Sequence, residues 1–149
     1  MPSHSASPSA LRPILHIEDD ADAVLLTHRV FHKAGVSHPI DVVSDGKSAM
    51  EYLTARIAGG AARLPLLILI DLDLPGKNGF DVLEWIARQP ALKNVMGVVL
   101  SASLDPQNVN RAFALGAAGY LAKYPSVAEV SALYLAAQSP EKGKKAVGV

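Results

Sequence analysis

Five short aliphatic runs, at 13–17, 40–43, 66–70, 95–100 and 119–122, punctuate this chain, and each leads through a turn into a segment of helical periodicity. The third and fourth runs are apolar at nearly every position, the pattern of strands buried on both faces of a parallel sheet rather than of strands with one wet face. The intervening segments carry helix punctuation. Residues 22–34 open on Asp and stop before Gly35, and 45–57 stop before Gly59-Gly60. A third helix starts at Asn78 or Gly79, with Phe80, Leu83 and Ile86 at core spacing, and is closed by Pro90. Asp105-Pro106 opens a fourth that ends at Gly116, and Ser126 caps a fifth running to about Gln138. Parallel strands need crossovers, and these are right-handed, so the pattern predicts an α/β fold: a doubly wound, five-stranded parallel sheet between two helical layers.

Domain limits follow from the same pattern. Residues 1–12 are Pro/Ser-rich and predict a disordered segment, 13–138 form one domain, and 139–149, with Lys142, Lys144 and Lys145, read as a flexible tail. The N-terminus has no apolar core of a signal peptide, and the run 64–70 is far too short to cross a bilayer, so a cytoplasmic protein is expected. Formal net charge is zero, from 14 basic and 14 acidic side chains, which argues against nucleic acid or an anionic membrane as partner. The absence of cysteine removes disulfides and thiolate chemistry.

The chemistry sits where the runs end. The first is followed by Glu18-Asp19-Asp20, the third by Asp71, the fourth by Ser101 and the fifth by Lys123. In a parallel doubly wound sheet these carboxyl ends share one edge, and with the flavodoxin-like strand order 2-1-3-4-5 the site lies near the order switch. Crowded carboxylates need a proton, a cationic partner or a metal, and an all-oxygen donor set suits Mg²⁺. A carboxylate neutralised in this way, beside an ammonium and a hydroxyl, is able to accept a phosphoryl group.

The motifs ILHIEDD, LLILIDLDLPGKNGFDVL, VVLSAS and GAAGYLAK, in this order and each at a strand end, resemble those of the receiver domain of two-component response regulators. The resemblance spans about 13–138. It implies that Asp71 is the phosphoacceptor, and that Glu18, Asp19, Asp71 and the backbone carbonyl of Asp73 hold Mg²⁺. It further implies that Ser101 bonds a phosphoryl oxygen, Lys123 pairs with the acceptor and then its phosphoryl group, and Tyr120 follows the state of Ser101. Pro75, Gly76 and Gly79 would shape the loop after the acceptor. The implied partners are a sensor histidine kinase and a downstream protein target. A homodimer is a further possibility, with Leu133, Tyr134 and Leu135 as apolar area. The long segment TARIAGGAARLP resembles that of standalone regulators paired with phytochrome-type kinases.

One departure stands out. The family has Pro directly after the Lys, joined by a cis bond, whereas Tyr124 separates Lys123 from Pro125 here. A cis bond without proline is about 3 kcal/mol uphill, which leaves the geometry of that loop open.

Other readings compete. Asp71-Leu-Asp73 is similar to the nucleophile motif of Asp-dependent phosphatases, but those carry it on the first strand, with a Thr where this chain has Pro75. A flavin-binding module would need Gly, Ser or Thr in the first turn, which is acidic here. A receiver-like interaction module that takes no phosphate remains an alternative because of the altered turn at Lys123. Asp20 reads as a helix cap, Trp85 as packing, and His28 and His32 as a solvated helix face.

Overall fold

The five aliphatic runs form β1 (Ile14–Ile17), β2 (Ile40–Val43), β3 (Leu67–Ile70), β4 (Met96–Ser101) and β5 (Gly119–Ala122) of one parallel sheet. They alternate with α1 (Ala21–Lys33), α2 (Gly46–Ala58), α3 (Gly79–Ala87), α4 (Pro106–Ala114) and α5 (Val127–Ala137). The computed structural model describes residues 11–74, 76, 78–139 and 147–148. Strand order is 2-1-3-4-5, the expected doubly wound arrangement. A short β6 (Val147–Gly148) adds to the outer edge of β5 in parallel register.

The sheet therefore has six strands rather than the expected five, and two residues of the expected flexible tail belong to it. That strand has no aliphatic run to announce it, since it consists of one Val and one Gly beside an open edge. The remaining tail beyond Ser139, the segment 1–10 and Pro75 lie outside the described residues.

Each strand sends alternate residues to opposite layers. Leu15, Ile17, Ile68, Ile70, Val99 and Tyr120 pack with Leu53, Leu83 and Val109 on the face covered by α2, α3 and α4. Ile14, Leu67, Leu69, Val98 and Leu121 pack with Phe31, Val130 and Leu133 on the face covered by α1 and α5. Leu133 is thus fully buried, so of the apolar area expected on α5 only Leu135 is broadly exposed, at 68%.

The starts of α1 to α5 are each capped by a side chain. Asp20, Asp45, Asn78 and Asp105 each accept from a backbone N–H in the first turn, and Ser126 and Glu129 form a reciprocal capping box. Asp45 is the cap of α2 rather than its first residue, and α1 begins at Ala21, one residue earlier than expected. Trp85, on α3, packs against the core.

Register then places the chemistry. Ile17 pairs with Ile70, so the residues that follow them, Glu18 and Asp71, leave adjacent strands side by side. Ser101 pairs with Ala122, which brings Lys123 to the same edge. No helix among the described residues is long and apolar enough to cross a membrane.

Candidate functional site

Glu18, Asp19 and Asp71 each present a carboxylate oxygen within 4.8 Å of the others, at the carboxyl ends of β1 and β3. Glu18 and Asp71 are buried, and Asp19 faces solvent. The pocket's ammonium comes from the end of β5, where Lys123 Nζ lies 2.7 Å from Glu18 Oε1 and 3.7 Å from Asp71 Oδ2. Lys123 was expected to pair with the acceptor; it pairs more closely with Glu18. Glu18 also stands on the strand adjoining Asp71, and no sequence spacing distinguishes those two partners.

The electrostatics follow from burial. Desolvation, then the hydrogen bond and charge of Glu18, push the Asp71 carboxyl up to about 7, against the opposing pull of the Asp73 N–H and Lys123. Burial works to lower the Lys123 pKa, but the two carboxylates outweigh it and the net shift is upward. Glu18 Oε1 is buried without a well-directed hydrogen bond, although the Lys123 ammonium is in ion-pair contact with it. Three converging carboxylates against one ammonium leave the pocket short of positive charge. A divalent cation with oxygen ligands fits that deficit and that donor chemistry.

The backbone around Asp71 is shaped for close approach. Asp73 N–H donates to Asp71 Oδ1 at 3.2 Å, and Gly79 N–H donates to the Leu72 carbonyl at 3.0 Å. A Cβ on Gly79 would fall 2.4 Å from the Asp71 carbonyl oxygen, so only glycine lets the start of α3 lie against the Asp71–Leu72 backbone. Gly76 has φ of +73°, a backbone region that favours glycine.

The neighbouring loops converge on a residue that sequence reasoning missed. Ser101 is buried at the end of β4, and its Oγ accepts from Ser103 N–H at 3.1 Å. Tyr120, fully buried, donates its hydroxyl to the Ser103 carbonyl at 2.6 Å. Ser103 thus joins the hydroxyl and the aromatic that the motifs singled out, and only its position two residues after Ser101 could have flagged it. Asp20 accepts from Asp22 N–H and caps α1, as expected. The Lys123–Tyr124 peptide bond is cis, although no proline follows Lys123.

A second missed feature lies behind the site. His16, 1% exposed on β1, has its Nδ1 3.3 Å from Nε2 of His28 on α1. The signal was there in ILHI, one imidazole in an otherwise aliphatic strand. Burial first, then the charges of His28 and Lys123, depress the His16 pKa to about 3. His28 therefore faces inward to His16 rather than sharing only a solvated helix face with His32.

Residues 14–134 match the family described as the response regulator receiver domain. The chain is 36% identical over 110 residues to the probable methanogenesis regulatory protein FilR2 of Methanothrix harundinacea, covering 74% of this chain and 70% of that one. It is 34% identical to response regulator Rcp1 of Synechocystis, covering 74% and 75% of the two chains. A crystal structure of the Mn²⁺-bound form of Rcp1 superposes with a TM-score of 0.67 at 28% identity, covering 93% and 99%. The structure of the phosphorylated cyanobacterial phytochrome response regulator RcpA gives a TM-score of 0.69 at 31% identity, covering 84% and 89%.

Proposed function

The chain belongs to the response regulator receiver family, and from that premise we propose that Asp71 is its phosphoacceptor, charged by a histidine kinase of the phytochrome type. The observation that carries the reading is the pocket itself: buried Asp71 between Glu18 and Lys123, with Asp19 at the rim. In the transfer step an Asp71 carboxylate oxygen attacks the phosphorus of a phosphohistidine. The phosphorus–nitrogen bond breaks and its electron pair stays on the imidazole, leaving an acyl phosphate on Asp71. Glu18, Asp19, Asp71 and the Asp73 carbonyl would hold Mg²⁺, which supplies charge neutralisation for the transferring oxygens.

Lys123 is already at the pocket and needs only to exchange Glu18 for a phosphoryl oxygen. Ser101, at the end of β4, would turn its Oγ toward another and donate to it, a rotation that carries Oγ away from the Ser103 N–H. That disturbs the loop that Tyr120 holds through the Ser103 carbonyl, so the switch is passed to α4 and β5. The chain acts as a cytoplasmic phosphoacceptor and not as an enzyme, and its output runs through contacts with a downstream protein. A homodimer through the α5 side, where Leu135 is exposed, is part of the same reading.

The test is incubation with acetyl phosphate and Mg²⁺ followed by intact mass measurement. A gain of one phosphoryl group that disappears in Asp71→Asn is expected. Absence of the gain in the wild type, or its survival in the variant, overturns the assignment.

A further inference from the structure

Arg111 lies on α4 with its guanidinium carbon 4.2 Å from the centre of the Phe80 ring. Among the described residues it enters no ion pair with a carboxylate. Phe80 is the second residue of α3, is 9% exposed, and packs in one cluster with Val109 and Ala112 of α4. A guanidinium over a ring face that is largely withdrawn from water is attracted by the ring quadrupole, and a neutral side chain of similar length is not.

What makes the contact more than surface decoration is the residue before Phe80. Gly79 packs so tightly on the Asp71–Leu72 backbone that a Cβ would meet both the Asp71 carbonyl oxygen and Leu72 Cα at 2.4 and 2.7 Å. A shift of the Asp71–Leu72 backbone therefore passes to Phe80 with little slack, because close-packed contacts transmit displacement rather than absorb it. α4 is then tied to the site twice. Its leading loop is held by Ser101 and Tyr120 through Ser103, and its body by Arg111 through Phe80.

We propose that Arg111 is a positioning residue of the switch: its contact with Phe80 holds α4 in the arrangement that accompanies the Lys123–Glu18 pair, and so restrains phosphorylation of Asp71. The inference rests on Asp71 being the acceptor. Phosphorylation draws Lys123 from Glu18 and turns Ser101 away from the Ser103 N–H at the head of α4, and the tether on the body of α4 opposes the second of these movements. Whatever weakens the restrained arrangement enlarges the population of the unrestrained one, and the rate rises by the same factor because that population is the one that reacts.

The experiment measures the rate of phosphorylation by acetyl phosphate at saturating Mg²⁺ for wild type, Arg111→Gln, Phe80→Leu, the double variant and Arg111→Lys. Each of R111Q and F80L should raise the rate roughly two- to tenfold, the range a partly exposed cation–π contact supports. The double variant should be no faster than the faster single one, and R111K, which keeps a cation over the ring, should stay near wild type. Melting temperatures measured alongside separate this from a merely structural role, which lowers the melting point without raising the rate. Rates unchanged in R111Q, effects that multiply in the double variant, or R111K behaving as R111Q would each overturn the proposal. A wild type that takes no phosphoryl group defeats the acceptor reading and this one with it. Equal rates among proteins that are phosphorylated defeat only the role of Arg111.

Discussion

Replacing Asp71 by asparagine removes one charge from a pocket where three carboxylates face a single ammonium. Asp71 has its folded pKa raised from 3.8 to about 7, so between those values the folded chain binds a proton that the unfolded chain has released. Stability from this group is therefore fully present below pH 3.8 and lost as pH rises toward 7, at about 1.4 kcal/mol per pH unit. Integrated over the window, ionised Asp71 opposes folding at pH 8 by up to roughly 4 kcal/mol. Asparagine keeps the shape and cannot ionise. In EDTA, urea unfolding followed by circular dichroism should find Asp71→Asn more stable than wild type by that amount at pH 8. The difference should shrink steadily toward pH 4. Millimolar Mg²⁺ should narrow the gap at pH 8, because a cation bound by the folded state stabilises the wild type more than the variant. A difference that is independent of pH, or a variant less stable than wild type at pH 8, would refute the electrostatic account of the pocket.

Three further outcomes follow from neighbouring contacts. Lys123→Met leaves the buried carboxylate of Glu18 without its 2.7 Å partner, and in EDTA at pH 8 should lower unfolding free energy by about 3 kcal/mol; phosphorylation by acetyl phosphate should slow in parallel. Gly79→Ala drives a Cβ to 2.4 Å from the Asp71 carbonyl, so urea denaturation should show a loss of about 1–3 kcal/mol. His16, depressed from 6.5 to about 3 by burial, binds fewer protons when folded than when unfolded across that window. Its contribution is present above pH 6.5 and is lost as pH falls toward 3, by up to about 5 kcal/mol, so His16→Leu should flatten the acid limb of a stability–pH curve.

Much of this was legible in the chain itself. Runs such as 66–70 and 95–100 are apolar on both faces, which leaves little choice but a covered parallel sheet, and Asp20, Asp45, Asn78, Asp105 and Ser126 mark helix starts by local hydrogen bonding that needs no tertiary context. Once the strands were identified, the placing of Glu18, Asp71, Ser101 and Lys123 at one edge followed from topology alone. Three features did not follow. Lys123 pairs with both carboxylates, at 2.7 Å from Glu18 and 3.7 Å from Asp71, and which of the two lies nearer does not follow from sequence because they leave paired positions on neighbouring strands. The His16–His28 contact joins a strand to a helix across a packed layer, where imidazole was unexpected. The strand at Val147–Gly148 is too short to carry a periodicity and exists through its pairing with β5.

Sequence by itself thus determined the number and order of the main elements, their caps, and which side chains reach the sheet edge, because these depend on hydrophobic period and on interactions within a few residues. Tertiary structure alone decided how charge is shared inside the pocket, with Lys123 held by Glu18, Asp71 driven up in pKa, and Phe80 brought under Arg111. Burial and Coulomb energy depend on distances between residues far apart in the chain, and no spacing along the sequence encodes an ångström between two carboxylates.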